Sequence, residues 1–157
     1  MKTVSIFVDV QNIYYTTRDS FGRSFNYKTF WEKIASQNKI ILANAYAIDR
    51  FDEKQQKFQH ALRSIGFNVK LKPYISRSDG STKGDWDVGI TIDILDSANK
   101  AEKIILLSGD GDSDILIQKV VEKHQCLVDI YGVEELTACS LKNAASYFHP
   151  ISNDFLI

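Results

Sequence analysis

The sequence is poor in the residues that mark several common classes of protein. It has two cysteines, Cys126 and Cys139, far apart and outside any CxxC pair. That spacing offers neither a disulfide framework nor a thiolate zinc site, and both are read as reduced, core or near-core residues of a cytoplasmic protein. The histidines His60, His124 and His149 stand alone rather than at zinc-ligand spacing, and are read as surface or satisfied polar groups. There is no Gly-rich phosphate loop and no Ser/His/Asp pattern. No apolar run reaches the length of a membrane span. The chain enters its first strand at Val4 without a cleavage or lipidation pattern, so neither membrane nor leader is expected. An excess of basic charge is missing too: 19 Lys and Arg against 20 Asp and Glu leave a net charge of -1. Any binding of nucleic acid has to come from a local patch.

What is present suits one soluble domain over residues 1–157, with 44% apolar and 25% charged residues and no internal repeat. Its organising stretch is Ser108-Gly109-Asp110-Gly111-Asp112-Ser113-Asp114. The apolar run over 104–107 before it reads as a buried parallel strand, and the segment from Ile115 as the start of a helix. Three carboxylates at alternate positions repel one another unless a cation or protons neutralise them. Oxygen-only ligands favour Mg²⁺ or Mn²⁺ over zinc. The competing reading is a capped turn, because Asp and Ser are good helix caps and Gly-Asp is ordinary turn chemistry. An EF-hand is excluded by the preceding strand and by the lack of Glu at the twelfth loop position.

Elsewhere, strands alternate with helices. The strand over 4–10 carries Asp9 near its end, where a carboxylate is costly to bury without a partner. Asn12 opens a short helix, and its amide caps that helix or orients a ligand or water beside Asp9. Asn26 caps a helix to about Gln37, a second strand covers 40–48, and Asp52 caps a helix that Gly66 ends. A third strand covers 68–74, with Pro73 marking its end or a sheet edge. The polar stretch 76–84 is a solvated loop, or a mobile lip that brings Arg77 and Lys83 to a polyanion.

A helix follows from near Asp85, apolar on two sides and so well buried. Asp87 lies in its first turn. Asp93, six residues on, does not share its face at about 100° per residue, so Asp87 is the direct ligand candidate and Asp93 a supporting or structural residue. A strand over 126–131, closed by Gly132, and a helical region over 136–147 complete the pattern. The tail ends in Phe155-Leu156-Ile157, apolar enough to dock on the body or on a second subunit, so a homo-oligomer is among the expectations.

Alternation of this kind argues for a three-layer α/β fold with a parallel sheet. If the strands ending in Asp9 and leading to Asp110 are neighbours, both acids lie on one sheet edge, and Asp87 joins them. Carboxylates holding divalent ions suit phosphodiester hydrolysis.

Phe7-Val8-Asp9-Val10-Gln11-Asn12, then Lys83-Gly84-Asp85-Trp86-Asp87-Val88 with Asp93, then Ser108-Gly109-Asp110-Gly111-Asp112 resemble the three motifs of NYN domains, in order and over nearly the whole chain. NYN domains belong to the PIN-like nuclease superfamily, and the chain resembles its bacterial, LabA-like branch. The resemblance implies a PIN-like fold: a central parallel five-stranded sheet of order 3-2-1-4-5, with helices on both faces. It also implies Mg²⁺- or Mn²⁺-dependent cleavage of RNA, here expected to be single-stranded. Carried over by motif, Asp9, Asp87, Asp110 and Asp112 are the metal-binding, catalytic acids, and Asn12 supports them. Asp93, Ser108 and Asp114 are further supporting residues. Ser113 stands where the family often has Phe. Arg77 and Lys83 are expected to contact RNA, with Arg18 and Arg23 as partners. Two other classes remain open. One is a non-catalytic RNA- or protein-binding regulatory module that retains the acidic pocket, which the near-neutral charge favours. The other is a phospho-accepting receiver-like domain, which lacks a convincing Thr/Ser and Lys switch pairing.

Overall fold

Val4, Ile6 and Val8 face one side of the first strand and Phe7 the other, and all four are wholly buried. A strand apolar on both faces belongs inside a parallel sheet covered by helices on each side. The structure is a computed structural model. It describes residues 1–73 and 86–157 with their side chains and, between them, the backbone pairing of Ile75–Ser76 with Thr82–Lys83. In chain order the elements are β1 (Lys2–Asp9), α1 (Val10–Phe21), α2 (Tyr27–Gln37), β2 (Asn38–Asp49), α3 (Glu53–Ile65) and β3 (Asn68–Pro73). They continue with α4 (Asp87–Ser97), β4 (Lys103–Leu107), α5 (Asp114–Lys123), β5 (Leu127–Gly132), α6 (Cys139–Ala144) and β6 (Tyr147–Pro150). The central sheet is parallel throughout, in the order β3-β2-β1-β4-β5-β6.

The sheet therefore has six strands, one more than expected. The extra strand is β6, whose residues sequence periodicity assigns to the end of a helix and a tail. It is short and lies at the sheet edge, where Pro150, lacking an N–H, is tolerated. Its register brings His149 opposite Tyr131, and the two rings stack at 4.4 Å. His149 Nε2 also meets buried Asp129 Oδ2 at 3.0 Å, and Lys103 Nζ meets the same oxygen at 3.2 Å.

Two cores flank the sheet. Ile13, Phe30, Leu62 and Phe155 pack on the face of Val4, Ile6 and Val8, under α1, α2 and α3. Ile94, Ile117 and Leu141 pack on the face of Phe7, under α4, α5 and α6. The side chains of Asn26 and Asp52 cap α2 and α3, as predicted. Phe155 and Leu156 dock on the chain's own body. Cys126 is buried, but Cys139 is exposed rather than near the core. It lies two residues from buried Leu141 on α6, about 200° around the helix and so on the opposite side. Among the described residues no helix is long and apolar enough to cross a membrane.

Candidate functional site

The chain winds outward from β1 through β2 and β3, then returns to the other side of β1 as β4. Strand ends diverge at such a reversal and leave a crevice at the carboxyl edge of the sheet. Asp9 ends β1 there and caps α1, its Oδ1 accepting the Asn12 backbone N–H at 3.2 Å. Beyond the end of β4, the Asp110 carboxylate caps the turn Gly111–Ser113 by accepting from the Asp112 N–H at 3.0 Å. Buried Ser108 accepts the Asp110 N–H through its Oγ at 3.2 Å. Asn12 Oδ1 accepts the Gly109 N–H at 2.9 Å and ties the two strand ends together. This turn needs its glycines. A Cβ on Gly109 would lie 2.9 Å from the Leu136 carbonyl oxygen, and one on Gly111 2.8 Å from the Ala138 Cβ.

Asp87, in the first turn of α4, faces the same place. Asp87, Asp110 and Asp112 each offer a carboxylate oxygen, and these oxygens lie within 4.8 Å of one another. Asp9, Asp87 and Asp110 line one cleft of about 340 Å³. Its remaining wall comes from the start of α1, including Gln11, Asn12 and Tyr15, and from Tyr46, Ile48 and Trp86. The donor set is all oxygen. An octahedral ion with metal–oxygen bonds of about 2.1 Å holds opposite ligands about 4.2 Å apart, so carboxylates at this spacing fit a hard divalent cation, directly or through water.

Asp93 does not join the three. Its Oδ2 accepts from the Tyr46 hydroxyl at 2.6 Å and from Lys70 Nζ at 2.7 Å, while Asn44 Nδ2 donates to the Tyr46 oxygen at 3.1 Å. Burial works against the Asp93 charge, but the bonds from Lys70 and Tyr46 outweigh it and hold its carboxyl below the usual range. Burial, with the bond to Asp93, pushes the Tyr46 hydroxyl far up, so it stays a donor. Asp93 thus anchors a wall of the cleft. Asp114 starts α5, and its Oδ1 accepts the Ile115 N–H at 2.7 Å.

The cations are dispersed. Arg18 lies on α1 with its guanidinium 5.5 Å from the Tyr14 ring centre. Arg23, just past the C-terminal end of that helix, donates to the carbonyl oxygens of Leu156 and Ile157 and to Asn153 Oδ1. It is held by the C-terminal segment, not by the cleft. Arg77 lies outside the described residues, and of Lys83 only the backbone pairing with Ile75 is described.

Sequence reasoning gave no role to Tyr46, Trp86, Lys70 or Lys72. Trp86 donates its indole N–H to the Ala47 carbonyl at 2.9 Å, and Lys72 Nζ sits 4.5 Å from its ring. A large aromatic inside the small-residue run Ala43-Asn44-Ala45-Tyr46-Ala47 was the available signal.

A parallel α/β sheet with carboxylates converging at its switch point defines the class: an α/β domain with an acidic group in an open cleft that could hold a metal ion. The NYN domain family matches residues 3–152, and the chain belongs to that family. It is 28% identical over 153 residues to the low amplitude and bright protein LabA of Synechococcus elongatus, covering 92% of this chain and 81% of that one. It is also similar to the crystal structure of a protein of unknown function from Vibrio parahaemolyticus. That match has a TM-score of 0.94 and 45% identity over 99% of this chain and 96% of the other. NYN domains are nucleic-acid-related members of the PIN-like nuclease superfamily, and all three acidic motifs fall inside the matched range.

Proposed function

We propose that this protein is a metal-dependent ribonuclease that hydrolyses phosphodiester bonds of single-stranded RNA. The observation that carries the reading is the meeting of Asp87, Asp110 and Asp112, from two separate parts of the chain, within 4.8 Å. With Asp9 in the same cleft, these acids would hold Mg²⁺ or Mn²⁺. The bound ion supplies water activation and stabilisation of the leaving oxygen. The chain's own residues place the ligands. Asn12 fixes Asp9 relative to the Gly109 turn, Ser108 orders the Asp110 backbone, and Asp93 holds Tyr46 against the cleft. Arg77, Lys83 and Arg18 are the proposed capture charges for the phosphate backbone. Arg23 is left out because the C-terminal segment holds it. The setting is cytoplasmic, consistent with two free thiols, and residues 1–157 act as one domain.

The test is RNA cleavage by purified protein in Mn²⁺, lost in EDTA and in Asp110→Asn. The second reading is a binding module without turnover, favoured by the net charge of -1. It predicts RNA or protein binding that survives Asp110→Asn and no cleavage by the wild type.

A further inference from the structure

Tyr15 lines the cleft beside Asp9 and Asp110 yet stays 51% exposed. Its neighbour Tyr14 is 48% exposed, with the two rings edge to face at 5.3 Å. Arg18, one turn further along α1, stacks its guanidinium over the outer tyrosine at 5.5 Å. The three form one surface band that starts inside the acidic cleft and runs out along α1. Neither ring belongs to either core cluster, so packing does not account for the band.

Aromatic faces followed by a cation are the elements that carry single-stranded nucleic acid. Bases stack on the rings without regard to sequence, and the cation meets the backbone phosphate. In a duplex each base face is already covered by its neighbours, so only an unpaired base can use such a ring. Resting on the nuclease reading for what the acids do, we infer that Tyr15 is a stacking platform for the unpaired base next to the bound phosphate. Tyr14 and Arg18 continue the path of the strand out of the cleft. The band is thus what makes the cleft select single strands, a selectivity the acids cannot supply because they meet only phosphate.

The test uses the full chain, with Ca²⁺ as a hard oxygen-seeking ion. Fluorescence anisotropy would follow a labelled short oligouridylate, the same oligomer made abasic, and a duplex RNA. Tyr15→Ala is expected to weaken binding of the oligouridylate by roughly ten-fold. It should change binding of the abasic oligomer and the duplex little, and Tyr15→Phe should bind as the wild type does. The Mn²⁺-induced rise in melting temperature should be the same in Tyr15→Ala, which shows that the acids remain in place. Equal loss for oligouridylate and abasic oligomer, or no loss for either, overturns the stacking role. Wild type that binds the oligouridylate through Tyr15 but does not cleave RNA in Mn²⁺ sinks the nuclease reading and leaves the band standing. Cleavage that ignores Tyr15→Ala does the reverse, and a wild type that binds no oligomer overturns both.

Discussion

Asn12 Oδ1 accepts the Gly109 N–H at 2.9 Å, so one side chain joins the end of β1 to the turn after β4. Gly109 is buried, and water cannot readily replace that acceptor. Asn12→Ala is therefore expected to cost about 1–3 kcal/mol, the desolvation penalty of an unpaired buried donor. The measurement is the urea midpoint, with the denaturant slope unchanged. Asn12→Asp keeps the acceptor but adds a carboxylate to an acidic cleft, so its midpoint should recover fully only when Mn²⁺ is added. A wild-type midpoint for Asn12→Ala would show that the strand ends are held together by other contacts.

Divalent ions should stabilise the folded protein through Asp110. Carboxylates as close as those of Asp87, Asp110 and Asp112 repel one another, and an ion bound to the folded state alone adds about 2.7 kcal/mol at a hundred times its Kd. Asp110→Asn is a clean probe because the amide oxygen can still accept from the Asp112 N–H and cap the turn. Without metal, the variant should melt at or above the wild-type temperature, since one repelling charge is gone. With Mn²⁺ it should gain much less. Equal gains in the two proteins would place the ion elsewhere.

The Asp93 anchor predicts a pH dependence with a definite sign. Its folded pKa is held below the ordinary 3.8, so on acidification the unfolded chain takes up the proton first. The stabilisation is present above that ordinary value and is lost as pH falls through the lower folded one. Asp93→Asn should cost about 1 kcal/mol at neutral pH, below the usual range for a charged hydrogen bond because the group is partly solvated. The difference from wild type should shrink below pH 3.8. Urea midpoints on both sides of that pH measure it, and a constant gap would mean that the Asp93 charge contributes nothing.

Much of this arrangement is legible in the chain itself. The unbroken apolar run over 104–107 reports a strand buried on both faces, and acids at strand ends and helix starts reach one edge once the sheet is parallel. Caps such as Asn26 and Asp52 are local, so three or four residues suffice to read them. What escapes is decided by distant partners. Nothing near His149 announces that Tyr131 will stack on it or that Asp129 will bind it, so β6 does not read as a strand. Tyr46, Lys70 and Asp93 come from three elements and meet only after folding. Arg23 follows an acidic motif in sequence, yet α1 carries it away from the cleft to the C-terminal carbonyls.

Trp86 should set the position of Asp87. α4 begins without a side-chain cap, so its first turn depends on how the preceding residue is held. Trp86 is held three ways. Its indole N–H donates to the Ala47 carbonyl on β2 at 2.9 Å, and its ring packs on Tyr46 with centres 5.3 Å apart. The ring also lies so close over Gly89 that a Cβ there would come within 2.7 Å of it. Trp86→Phe keeps most of the apolar contact but takes one partner from the Ala47 carbonyl, a loss of about 1 kcal/mol. Gly89→Ala disturbs the same contact from the other side by pushing the indole off the helix. Both variants should fold, and both should bind Mn²⁺ roughly ten-fold more weakly, as expected when a residue that orients a ligand is changed. Calorimetric titration with Mn²⁺ measures this directly, with Asp87→Asn as the reference for complete loss of that ligand. If both variants bound the ion as tightly as wild type, the start of α4 would be fixed by its packing on β1 and not by the indole.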